Sequence, residues 1–157
     1  MLVPPVQIPL ASPEETAALA VRLGGVLRIG DALLLSGGIG AGKTHFARAL
    51  IQSLLAHSED VPSPTFTLVQ EYEGVNGPIW HCDLYRLSGP DDIYELGLDE
   101  AFRDAICIIE WPDRLGPLAP ETALSLSFTD ANKDDSRDLT LEWRDPSWTA
   151  RLEKVLK

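Results

Sequence analysis

The sequence predicts an α/β fold: a mixed, mainly parallel central sheet flanked by helices, with antiparallel strands added. Three observations predict it. "DALLLSG" (31–37) and "AICIIEW" (105–111) are near-continuous apolar runs, the pattern of strands buried on both faces in a parallel sheet. A glycine-rich turn and the helical run "HFARALIQSLLA" follow the first of them, giving the order strand, turn, helix. "TALSLSF" (122–128) and "RDLTLEW" (137–143) alternate apolar and polar residues, as an antiparallel pair does.

The remaining elements follow in order. "VQIPL" (6–10) predicts a short strand. "SPEE" opens a helix: Ser12 is the N-cap, Pro13 takes the first helical position and Glu15 closes a capping box. Ala17, Leu19, Ala20 and Leu23 give that helix a buried face. "TLVQEYEGVNGPIWHCDLY" (67–85) predicts a hairpin turning near Asn76-Gly77. "DDIYELGLDEAF" predicts a helix, and a short last helix starts near Ser147. The chain has 157 residues and no repeat or linker, so residues 1–157 are expected to form a single domain with its own core. Hydrophobic content of 45% argues against disorder.

No apolar run is long enough to span a bilayer, and the N-terminus has no basic start leading into an apolar stretch. A cytoplasmic protein with no membrane attachment is expected. Cys82 and Cys107 each sit in an apolar strand-like run and are expected to be reduced core residues. The formal net charge of −11, with few and scattered basic residues, argues against a direct grip on nucleic-acid phosphates.

Gly37-Gly38-Ile39-Gly40-Ala41-Gly42-Lys43-Thr44 fits G-x-x-x-x-G-K-[ST]. Glycines let backbone N–H groups turn inward around phosphate oxygens, and the following helix adds its positive N-terminal end. Lys43 is placed to reach the outer phosphates, and Thr44 to offer its hydroxyl to Mg²⁺. The expected fold is therefore a P-loop NTPase.

Such a site needs an acid at the end of a neighbouring strand. Asp83 ends "PIWHCD" and Glu110 ends "ICIIE". Glu110 follows the cleaner buried run and is the first choice as metal ligand. Asp83 is expected to help the metal or to orient the attacking water. Plainer readings are a strand-end acid capping the next turn for Glu110 and a salt bridge with Arg86 for Asp83. His81 shares a strand face with Asp83 and is read as a structural hydrogen bonder. "VPSPTFTL" (61–68) offers Ser63, Thr65 and Thr67 either as a loop sensing the γ-phosphate or as a stiff connector.

In order, "GGIGAGKTHFARAL", "VPSPTFTLVQEY", "HCDLYRL", "ELGLDE" and "IIEWPDRL" resemble the bacterial TsaE family over roughly residues 12–130. The resemblance implies an ATPase needed to make threonylcarbamoyladenosine in tRNA beside the anticodon, working with TsaB and TsaD. It implies ATP and Mg²⁺ as cofactors, and contact with tRNA only through the complex. It places phosphates on residues 40–45, that is Gly40, Ala41, Gly42, Lys43, Thr44 and His45, and Mg²⁺ on Thr44 and Glu110. Asp83 carries over as an acid needed for hydrolysis, Thr65 and Thr67 as a switch-like loop. Trp111 and Thr16 become contacts for the outer parts of the nucleotide. His45 departs from the small hydroxyl residue common there, and Gly38-Ile39 from an acidic residue and Leu.

Three other readings compete. "NKDD" (132–135) fits the N-K-x-D guanine signature, but no D-x-x-G precedes it and it falls in a predicted turn. A small-molecule kinase needs an acceptor pocket and usually an arginine-rich lid, and the arginines here are dispersed. A nucleotide-gated binding module would make hydrolysis incidental. With no arginine finger in evident position, hydrolysis is expected to be slow alone and stimulated by partners.

Overall fold

A computed structural model describes residues 1–38, 42–64, 68–131 and 136–156. One seven-stranded sheet runs through it, in the order β1-β7-β6-β2-β5-β4-β3. The strands are β1 (Val6–Leu10), β2 (Ala32–Ser36), β3 (Val69–Gly74), β4 (Gly77–Asp83), β5 (Ile106–Glu110), β6 (Leu124–Asp130) and β7 (Arg137–Glu142). In the centre β6, β2, β5 and β4 are parallel. β3 joins β4, β7 joins β6 and β1 joins β7, all antiparallel. The predicted mixed sheet is the one observed.

Burial explains which strands take the middle. Every residue of β5 is buried and β2 is buried over Ala32–Leu35, so both need cover on two faces. β6 alternates, burying Leu124, Leu126 and Phe128 and turning Ser125 and Ser127 the other way.

The helices are α1 (Pro13–Gly24), α2 (Lys43–Leu54), α3 (Pro90–Leu96), α4 (Leu98–Asp104) and α5 (Ser147–Leu156). α1, α2 and α5 share the larger core with Leu33, Leu35, Ile106 and Ile108. α3, α4 and a 3₁₀ segment at Pro112–Leu118 cover Leu34, Cys82, Cys107 and Ile109 on the other face.

Four local details differ from expectation, each for a physical reason. Ser12 caps α1 by accepting the Glu15 N–H at 3.2 Å, but the Glu15 carboxylate reaches past the cap to the Ala11 N–H. The helix expected over 91–102 is broken by Gly97, whose left-handed backbone (φ 81°) ends α3 and starts α4. α2 begins at Lys43, ahead of its apolar run, because Gly42 (φ 104°) turns the chain into it. β5 stops at Glu110 because Trp111 takes φ 59°, ψ 56° and throws the chain out into the 3₁₀ segment.

At the opposite end of β2, Asp31 receives Arg151 of α5 at 2.6 and 3.2 Å. The guanidinium lies 3.7 Å from the centre of the Trp148 ring and also donates to the Val26 carbonyl. This partly buried pair ties the last helix to the start of β2.

Cys82 and Cys107 are both free and buried. Burial pushes the Cys107 thiol up to about 12 and the Cys82 thiol well above its ordinary value. Neither is a thiolate at neutral pH, so both are expected to be inert to an aromatic disulfide reagent at pH 8. The absorbance released should correspond to no thiol in the native protein and to both thiols in denaturant. Among the described residues no helix is long and apolar enough to cross a membrane.

Candidate functional site

Parallel pairing brings three strand ends to one edge. Leu35 of β2 lies opposite Glu110 of β5, and Glu110 lies opposite Asp83 of β4. The glycine-rich turn leaves β2 at this edge, and α2 starts there. Ligands in open α/β sheets sit at such an edge, outside the carboxyl ends of the strands.

Glu110 is 2% exposed, and burying its carboxylate is costly unless donors meet it. Two do. The Thr44 hydroxyl donates to Oε1 at 2.7 Å, and His81 Nε2 lies 2.7 Å from Oε2. Lys43, 5% exposed, donates from Nζ to the Gly37 carbonyl at 2.6 Å. Its ammonium also lies 3.5 Å from the centre of the Trp111 ring. Burial lowers the Lys43 pKa, while Glu110, Asp83 and Asp113 pull it back up.

Asp83 is 7% exposed, and its Oδ1 accepts the Tyr85 N–H at 3.0 Å. The Tyr85 ring packs against Trp111 with centroids 4.8 Å apart. Both strand-end turns are held by main chain: Leu84 N–H donates to Glu110 and Trp111 N–H to Leu35.

The hydroxyl loop is tied down at each end. Arg48 Nε donates to the Val61 carbonyl at 2.9 Å. Leu68, with φ 66°, donates to Pro64 and accepts from the Asp83 N–H at 2.9 Å. The loop thus returns beside Asp83. Ser63 is half-buried there. Thr65 and Thr67 lie outside the described residues, as do Gly40, Ala41 and residues 132–135.

Thr16 and His45 meet where the starts of α1 and α2 approach. The Thr16 hydroxyl donates to the Ser12 carbonyl at 3.3 Å, and His45 Nε2 lies 2.9 Å from the Pro13 carbonyl. His45 is thereby attached to α1, with its backbone at the head of α2.

Three contacts were not foreseen from the sequence. His81, expected as a structural bonder, bonds the site carboxylate itself. Trp111 roofs the lysine. Arg137, the first residue of β7, lies beside the cradle: a Cβ added to Gly42 would stand 4.0 Å from its Cγ and Nε. Only the strand register could have signalled His81, since it sits opposite Ile108, two residues before Glu110.

The donors at this edge fit a hard divalent cation. They are the Thr44 hydroxyl, whose proton goes to Glu110, and the carboxylates of Glu110 and Asp83. Among the described residues no three His, Cys, Asp or Glu cluster into a self-sufficient metal cage. Magnesium held partly by phosphate oxygens needs none.

A profile of the family described as "Threonylcarbamoyl adenosine biosynthesis protein TsaE" matches residues 10–139. A relative from Rickettsia conorii, described as tRNA threonylcarbamoyladenosine biosynthesis protein TsaE, is 42% identical over 126 residues, covering 79% of this chain and 72% of the relative. One of the same description from Bacillus subtilis is 37% identical over 130 residues, covering 82% and 80%. The crystal structure of Bacillus subtilis YdiB matches with a TM-score of 0.80 at 29% identity, over 99% of this chain and 96% of that one.

Proposed function

The chain belongs to the TsaE family, and from that premise we propose that it is a magnesium-dependent ATPase serving threonylcarbamoyladenosine modification of tRNA beside the anticodon, in complex with TsaB and TsaD. One observation carries the catalytic part: Thr44, at the head of α2, is joined at 2.7 Å to Glu110 from the neighbouring strand. A phosphate-loop hydroxyl and a strand-end acid in contact are the two protein groups that a nucleotide-bound Mg²⁺ requires.

The roles divide by position. Backbone N–H groups of Gly40, Ala41, Gly42, Lys43, Thr44 and His45 hold the phosphates, favoured by the positive end of α2. Lys43 exchanges the Gly37 carbonyl for the outer phosphate oxygens. Trp111 and Thr16 border the outer parts of the nucleotide. Thr44 and Glu110 would hold Mg²⁺, which would supply charge neutralisation to the phosphate oxygens. Asp83 orients the attacking water. Ser63, Thr65 and Thr67 form the loop that responds to the γ-phosphate, coupled to Asp83 through the Leu68 carbonyl. Residues 1–157 act as one ATPase domain in the cytoplasm. A chain of net charge −11 leaves the grip on tRNA to its partners.

The test is ATP hydrolysis by this protein alone, then with TsaB and TsaD, with GTP as control nucleotide. Slow turnover alone and a rise that needs both partners and ATP is the expected result. No rise, with nucleotide binding intact and partners active, overturns the partnership; preference for GTP overturns the nucleotide.

A further inference from the structure

Both oxygens of the Glu110 carboxylate are already engaged, Oε1 by Thr44 and Oε2 by His81, each at 2.7 Å. His81 is 0% exposed. A carboxylate accepts, so Nε2 carries the proton. Nδ1 is buried with no hydrogen-bond partner among the described residues. Buried polar atoms are nearly always matched. A histidine serving stability alone would be expected to satisfy both nitrogens. This one leaves Nδ1 unmatched while Nε2 meets Glu110.

We propose that His81 is a positioning residue that makes Glu110 a one-oxygen partner of the cation, and so sets the preference of the site for magnesium over calcium. The inference rests on the nucleotide and magnesium reading above. His81 holds Oε2, while Oε1, which accepts from the Thr44 hydroxyl, keeps a second lone pair for the cation. Magnesium takes few carboxylate oxygens, in a near-octahedral set completed by waters and phosphates. Calcium accepts more ligands and readily takes both oxygens of one carboxylate. Bringing Oε2 onto the same cation would turn the carboxylate away from His81, so that second mode is disfavoured.

The test is calorimetric titration of ATP and ADP into the protein at stepped concentrations of Mg²⁺ or Ca²⁺, for wild type, His81→Leu and His81→Gln. Glutamine carries an amide N–H close to where Nε2 stands. His81→Leu is expected to raise the Mg²⁺ concentration needed for half-maximal ATP affinity by about tenfold or more, the scale of effects on a metal from residues behind its ligands. It should also narrow the gap between Mg²⁺ and Ca²⁺, while metal-free ADP affinity stays as in wild type. His81→Gln should keep the wild-type preference. If His81→Leu does not melt cooperatively, His81→Asn takes its place, since its shorter amide falls short of Oε2.

A wild-type protein with no preference for Mg²⁺ overturns the proposal. So does an unchanged preference in the leucine or asparagine variant. Equal loss of metal-free ADP affinity in all variants makes His81 a packing residue and also overturns it. If wild type binds neither nucleotide with either metal, the nucleotide reading itself falls, and this inference with it.

Discussion

Lys43→Ala is expected to abolish ATP hydrolysis in the steady state while leaving the fold intact. Removing one preorganised charge from a transferring phosphoryl group costs about 10²–10³ in kcat, or roughly 3–4 kcal/mol of barrier. The substitution also vacates the space beneath Trp111, so ATP affinity should fall with it. Stability should change little, because burial already holds the Lys43 pKa below its ordinary value. A base whose pKa is lowered on folding favours the unfolded state while charged, so its removal takes away a liability. The check is a hydrolysis assay with partners present, paired with a thermal melt without nucleotide. Wild-type turnover in the variant would refute the assigned role. A collapsed melting temperature would mean that the ammonium supports the fold instead.

The largest effect on stability is expected at the other end of the sheet, with Asp31→Ala. Arg151, which keeps some solvent exposure, would then be left without its carboxylate, and breaking this partly buried ion pair should cost toward the low end of the roughly 3–5 kcal/mol of fully buried pairs. Asp31 also accepts the Arg28 N–H at 2.8 Å, so the turn before β2 loses an acceptor as well. For a chain of this size the melting temperature should drop by on the order of 10 °C. Nucleotide affinity measured well below the melt should be unchanged, since the pair lies away from the phosphate cradle. A shift within a degree or two of wild type would show that the Trp148 stack alone anchors α5.

The central strands were legible because burial on both faces demands continuous apolar runs, and "ALLL" and "ICII" admit little else. The hairpin at Gly77 and the helix start at Ser12 were legible because turn and cap chemistry are local. The break at Gly97 was missed because "DDIYELGLDEAF" keeps an apolar pattern through the glycine, and only a positive φ separates its halves. In the site, Lys43, Thr44, Glu110 and Asp83 came from spacing and strand ends. Their company did not. The approaches of His81 to Glu110, Arg137 to Gly42 and Trp111 to Lys43 are set by sheet register and strand order, which couple residues far apart in the chain.

Trp111 holds a left-handed backbone that costs an ordinary residue roughly 1–2 kcal/mol and costs glycine almost nothing. By local backbone energetics alone, glycine is the better tenant of that position. Yet glycine there would uncover the Lys43 ammonium and remove the partner of Tyr85. A campaign to make this protein more heat-resistant would therefore be drawn to residue 111 first, and would gain its degrees at the expense of the ring that shelters the lysine.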